Sequence, residues 1–139
     1  MSVEREYITE TILRLRDKFL LEEMNCESTY YDINNGYCEE FAFYVLKELT
    51  GGRETDELYC LCNDNFKRDG IFDITLLENR WQDVKPLNGY TFDDLDKMDF
   101  GYHIWLYDGT HHYDAECPNG VRNFFELPIF KRSFHKPAS

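Results

Sequence analysis

Apolar residues recur at helical spacing near the start of the chain. Ile8, Ile12, Leu15 and Phe19 share one face, with Arg14, Arg16, Asp17 and Lys18 between them. That pattern predicts an amphipathic helix over residues 4–24. A polar loop is expected over 25–36, with Asn34-Asn35-Gly36 as its turn residues. The next stripe is sharper. Cys38, Phe41, Ala42, Val45, Leu46 and Leu49 follow one another at helical intervals, Glu39, Glu40, Lys47 and Glu48 occupy the other face, and Gly51-Gly52 supplies a stop. Cys38 therefore opens a buried stripe at a helix N-terminus.

Beyond this point the period shifts toward two. Strands are expected over 57–62 and 71–77, separated by a polar turn over 63–70, with a further strand over 80–84. Thr91, with Asp94 three residues on, predicts a short capped helix. Residues 102–107 read as a strand, Asp108-Gly109 as a two-residue hairpin turn, and 110–115 as the returning strand. In that register Tyr107 faces Thr110, Trp105 faces His112 and His103 faces Asp114. Directly opposed residues have Cβ atoms about 4.5–5.5 Å apart, so the hairpin is expected to hold His103 beside Asp114. Leu127-Pro128-Ile129-Phe130 is expected to pack over the sheet. The fold class that follows is α+β, with N-terminal helices and the Cys38 helix packed on an antiparallel sheet.

Composition narrows the function. A chain of 139 residues, 42% hydrophobic and 17% aromatic, is expected to form one domain with its own core. A net charge of −12, from 27 acidic and 15 basic residues, opposes phosphate backbones and argues against direct nucleic-acid binding. It suits a basic protein partner, or simply solubility. No stretch approaches the roughly 20 apolar residues of a membrane span, and the N-terminal residues carry no apolar signal region. Five cysteines without such a region suggest reduced thiols and a cytoplasmic location.

Thiol catalysis needs a stabilised thiolate, a base that shuttles protons, and a third group that fixes the imidazole tautomer. A cysteine at a helix N-terminus meets the first need. Cys38, His103 and Asp114 thus form a candidate nucleophile, base and orienting acid. Taken singly, each has a plainer reading: Cys38 as a small core residue, His103 as a satisfied strand histidine, Asp114 as a hairpin surface charge. His112, one pair nearer the turn, is a rival base.

Gly36-Tyr37-Cys38-Glu39-Glu40-Phe41-Ala42 resembles the G-x-C-x-x-[FY]-A signature of transglutaminase-like cysteine enzymes. His103-Ile104-Trp105-Leu106 and Tyr113-Asp114-Ala115 resemble the H-x-W-[VL] and Y-D-[AP] strands of the same group, and the likeness runs over residues 36–130. The segments Asp114-Ala115-Glu116-Cys117-Pro118-Asn119-Gly120-Val121 and Leu127-Pro128-Ile129-Phe130 are similar to small bacterial and phage members. The resemblance implies a papain-like fold, a Cys–His–Asp triad and no cofactor. It implies hydrolysis of a peptide or isopeptide-type amide in a protein or peptide substrate, or acyl transfer to an amine. The oxyanion donor is open among Asn34, Asn35 and Tyr31, together with the Cys38 N–H. Glu39 and Glu40 oppose a thiolate beside them. Tyr37, Trp105 and His112 are candidate groove residues, with Tyr102, Ile104 and Leu106 on the core face.

Two other readings compete. Cys60, Cys62, His111, His112 and Cys117 offer zinc-ligand chemistry, but the spacing departs from a C-x₂₋₄-C knuckle and adjacent strand histidines point to opposite faces; no metal is expected, and Cys26, Cys60, Cys62 and Cys117 are expected to be inert thiols. A small acidic protein could also bind and inhibit a host protein without catalysis.

Overall fold

The stripe that begins at Cys38 buries itself against a second stripe and one face of a sheet. A computed structural model describes residues 4–25, 27–68, 71–81, 83–95 and 97–134. Helix α1 (Arg5–Glu23) buries Ile8, Ile12, Leu15 and Phe19, as its periodicity predicts. Helix α3 (Cys38–Thr50) buries Cys38, Phe41, Ala42, Val45 and Leu46. It ends at Gly51, whose φ of 79° is left-handed, and whose N–H, with that of Gly52, bonds the carbonyls of Lys47 and Leu46. Between them lies a helix instead of a plain loop, α2 (Tyr30–Asn34), started by a capping box in which Thr29 and Asp32 serve each other's N–H groups. Cys26 lies outside the described residues.

Strands β1 (Tyr59–Cys62), β4 (Ile104–Tyr107), β5 (His112–Asp114) and β6 (Cys117–Val121) form an antiparallel sheet in the order β1-β4-β5-β6. β6 has no counterpart in the sequence reading, because Cys117-Pro118-Asn119-Gly120 resembles a turn. Its proline is tolerated because β6 is an edge strand. Gly120 (φ +78°) lies under the Tyr113 ring, where a Cβ would fall 2.6 Å from Cε2.

Both faces of the sheet are covered. Ile104, Leu106 and Tyr113 pack on α1 and α3 in one core. Trp105 packs in a second core with Phe66, Phe72, Trp81, Phe124, Phe130 and Phe134. Each fully buried side chain of this size contributes about 1.5–3 kcal/mol of transfer free energy. The second core explains most departures from the expected elements. Residues 63–66 form a 3-10 turn that buries Phe66, followed by the two-stranded ribbon β2 (Lys67–Arg68) and β3 (Ile71–Phe72). The strand expected over 71–77 stops at Phe72. Asp73 then caps helix α4 (Ile74–Arg80), its side chain accepting from the Leu76 N–H, so that Leu77 reaches the core. The strand expected over 80–84 is the end of that helix and the turn after it; Gln82 lies outside the described residues. Thr91 and Asp94 do box a short helix, α5 (Phe92–Leu95), and the tail forms α6 (Pro128–Lys131) over the sheet. Among the described residues no helix is long and apolar enough to cross a membrane.

The hairpin register differs from the expected one by two residues. Leu106 pairs with Tyr113 and Tyr107 with His112, and the Asp108 N–H bonds the His111 carbonyl. The turn is thus centred on Gly109-Thr110. Asp108 Oδ1 accepts from the N–H groups of Thr110 and His111, which draws the turn one residue along.

Candidate active site

α3 begins at Tyr37, which caps it with its backbone alone. The opening N–H groups of a helix have no intrahelical partner, so they surround Cys38 with positive partial charge. The thiol is 7% exposed and lines a cleft of about 520 Å³ with Asn34, Glu39, Glu40, Tyr102 and Arg132.

His103 sits just before β4 and is fully buried. Its N–H donates to Asn63 Oδ1 at 3.0 Å, and Asn63 Nδ2 donates to the Gly101 carbonyl at 2.6 Å. The ring is stacked at 5.7 Å on Trp105 and meets the edge of Phe130. Its Nε2 lies 3.0 Å from Asp114 Oδ2. An ionised carboxylate only accepts, so Nε2 carries the proton and Nδ1 presents its lone pair when the ring is neutral. Nδ1 is buried and makes no hydrogen bond of ordinary length. The Cys38 side chain acts electrostatically on the same ring. A contact of this kind commonly tightens only when substrate binds.

The protonation shifts run in opposite directions. Burial pushes the Cys38 thiol up, but the neighbouring His103 side chain and its charge, with the Ile104 and Glu39 N–H groups, outweigh it, and the net shift is downward. Burial pushes the His103 imidazolium down, but the hydrogen bond to Asp114 and the neighbouring Cys38 side chain overcome it and raise the group to about 9. Both shifts favour a thiolate–imidazolium pair. Glu39 and Glu40 are exposed, so their carboxylates are screened by water. The remaining described cysteines go the other way: burial raises Cys62, and pushes Cys60 up to about 12 and Cys117 to about 11.

Among the oxyanion candidates, Asn34 is buried at the cleft wall beside Cys38. Asn35 and Tyr31 also line the cleft but are exposed, and the Arg132 guanidinium covers the Tyr31 ring at 4.7 Å. Of the groove candidates, Tyr37 is 43% exposed and packs against Phe19. Trp105 and His112 are not groove residues. They lie in the second core, where Trp105 Nε1 donates to His112 Nδ1 at 2.9 Å. Burial holds His112 down at about 3, so it is no rival base. Tyr102, expected on the core face, is 54% exposed and lines the cleft, because the sheet ends before it. Asn63, Glu116 and Arg132 were not among the expected site residues, since no local pattern ties them to Cys38. Among the described residues no group of three His, Cys, Asp or Glu could hold a metal ion.

Comparison with protein-family models, with curated proteins and with solved structures found no match.

Proposed function

We propose that the protein is a thiol-dependent amidase or peptidase, a small member of the transglutaminase-like enzymes, acting on a peptide or isopeptide-type amide. The observation that carries this reading is the His103 ring, tied through Nε2 to Asp114 and leaving Nδ1 for Cys38 at an open cleft. The Cys38 thiolate attacks the amide carbonyl carbon, and the carbonyl electrons move onto oxygen. The Cys38 N–H and Asn34 Nδ2 are the donors for that oxyanion. His103 gives its proton to the leaving nitrogen as the C–N bond breaks, which leaves a thioester on Cys38. His103 then takes a proton from water, the hydroxyl adds to the thioester, and the acid departs as the thiol is restored. An amine in place of that water gives transfer by the same steps. The chemistry needs Cys38 reduced, which fits a cytoplasmic setting, and the acidic surface suits a basic protein partner or substrate.

The test is the pH dependence of iodoacetamide alkylation, mapped by mass spectrometry, in wild type and His103→Ala. Cys38 is expected to react fastest of the cysteines, to keep reacting below pH 7, and to lose that advantage without His103. A Cys38 that titrates near the ordinary thiol value of about 8.5, or that resists alkylation, overturns the proposal. In that event the acidic surface becomes the functional feature, as expected of a binding protein.

A further inference from the structure

The carboxylate of Glu116 gathers parts of the site that are far apart in sequence. Its Oε1 accepts from Asn34 Nδ2 at 2.8 Å. Arg132 donates to both oxygens, Nη1 to Oε2 at 2.8 Å and Nη2 to Oε1 at 3.0 Å. The Glu116 N–H donates to Asp114 Oδ1 at 2.9 Å, on the side of that carboxylate away from His103. The Glu116 side chain is only 16% exposed. A carboxylate so far removed from water is held by paired donors, and a two-pronged arginine contact also fixes its direction.

The chemistry of the contact orients Asn34. A carboxylate only accepts, so the amide must turn its NH₂ and not its oxygen toward Glu116. One of the two Nδ2 protons is used there, which leaves the other on the same nitrogen of a residue that lines the cleft with Cys38. Asn34 ends α2, four residues before the start of α3 at Cys38, and it lines the same cleft as Cys38. Rotating the amide would set its oxygen against the Glu116 carboxylate.

Resting on the acyl-transfer reading above, we propose that Glu116, clamped by Arg132, is a positioning residue that holds Asn34 as the oxyanion donor of Cys38. It touches no reacting atom itself. Its part is to keep the Asn34 NH₂ directed where negative charge develops, while its own N–H steadies Asp114.

Two small reagents separate this from the thiolate itself. Iodoacetamide alkylates sulfur by displacing iodide and forms no oxyanion. p-Nitrophenyl acetate acylates sulfur through a tetrahedral oxyanion and releases p-nitrophenolate. Both second-order rates at Cys38 are measured in wild type, Asn34→Ala, Glu116→Gln and the double variant. Asn34→Ala is expected to lower acylation by about 10²-fold, the usual order for one lost oxyanion donor. Glu116→Gln is expected to lower it by about tenfold, and alkylation is expected to stay within about twofold in both. Because Glu116 acts through Asn34, the double variant is expected to be no slower than Asn34→Ala alone. If wild-type Cys38 is not acylated, the acyl-transfer reading falls and this proposal with it. If wild type is acylated but the variants lose acylation only in step with alkylation, or the two losses multiply, the positioning role is wrong and the acyl-transfer reading stands. Should Glu116→Gln fail to fold, Arg132→Lys replaces it; breaking the two-pronged contact while keeping the charge must lower acylation selectively, and an unchanged ratio refutes the clamp.

Discussion

His103 reaches Asp114 diagonally across the hairpin, Nε2 to Oδ2 at 3.0 Å, and continuing the pairing of Leu106 with Tyr113 sets Trp105, not His103, opposite Asp114. Trp105 fills the space directly across and stacks on the imidazole, and the ring's other nitrogen, Nδ1, stays buried without a hydrogen-bond partner among the described residues. The bond is buried at both ends, where a hydrogen-bonded charge is poorly screened by solvent.

Asp114→Asn keeps the shape and removes the charge that sustains the imidazolium. Alkylation of Cys38 at about pH 6 is expected to slow by about tenfold or more, and acyl transfer by about 10²–10⁴-fold, the range typical of a lost orienting acid. Mass-spectrometric rates for the variant, with a thermal melt to establish folding, check this. Unchanged rates would show that Asp114 is only a structural carboxylate.

The titration of His103 should follow its two partners. With its folded value raised to about 9, the imidazolium is expected to persist through neutral pH and to lose its proton near 9 in NMR of the ring nitrogens. Cys38→Ala removes one of the interactions that raise it, so the midpoint should fall. Because the folded value lies above the ordinary 6.5, the associated stability is complete below about 6.5 and is lost as pH rises toward about 9. A midpoint that stays put in Cys38→Ala would separate the two side chains.

His112 should make the fold acid-sensitive. It is fully buried, neutral, and held down at about 3 by burial. Below its ordinary 6.5 the unfolded chain takes up a proton that the folded chain refuses, so stability falls with pH by up to about 1.4 kcal/mol per unit until about 3. His112→Gln retains an acceptor for the Trp105 N–H and cannot titrate. Urea unfolding at pH 6.5 and pH 5 is expected to show a shallower loss in the variant, by about 1–2 kcal/mol. Equal slopes would place the acid sensitivity elsewhere.

Asp108 should matter more than a turn residue usually does. Its carboxylate accepts from the N–H groups of Thr110 and His111 and from the Tyr113 hydroxyl at 2.7 Å. Asp108→Ala is expected to cost about 2–3 kcal/mol, since it leaves the half-buried His111 N–H and Tyr113 hydroxyl without their acceptor. Asp108→Asn should recover part of that cost. Equilibrium unfolding measures both, and a loss under about 0.5 kcal/mol, the scale of an ordinary surface change, would refute the role.

Local sequence determined the two long helices, because the stripes from Ile8 to Phe19 and from Cys38 to Leu46 are periodic over enough turns to specify which face is buried. It also set Cys38 at a helix start, and brought His103 and Asp114 to one face of a hairpin even with the register misplaced. The displacement was two residues, and the side-chain period of a strand is two, so the face survived; a displacement of one would have separated them. Only the tertiary structure decided the rest. The second aromatic core drew Trp105 and His112 inside, and turned 74–77, the end of an expected strand, into the start of a helix, since burial of Leu77 against distant phenylalanines outweighs local preference. The site's supports were equally out of reach. Asn63 holds the His103 backbone across 40 residues, and Glu116 holds Asn34 across 82. Polar contacts over such separations leave no period in the sequence, because chain folding alone brings the partners within hydrogen-bond distance.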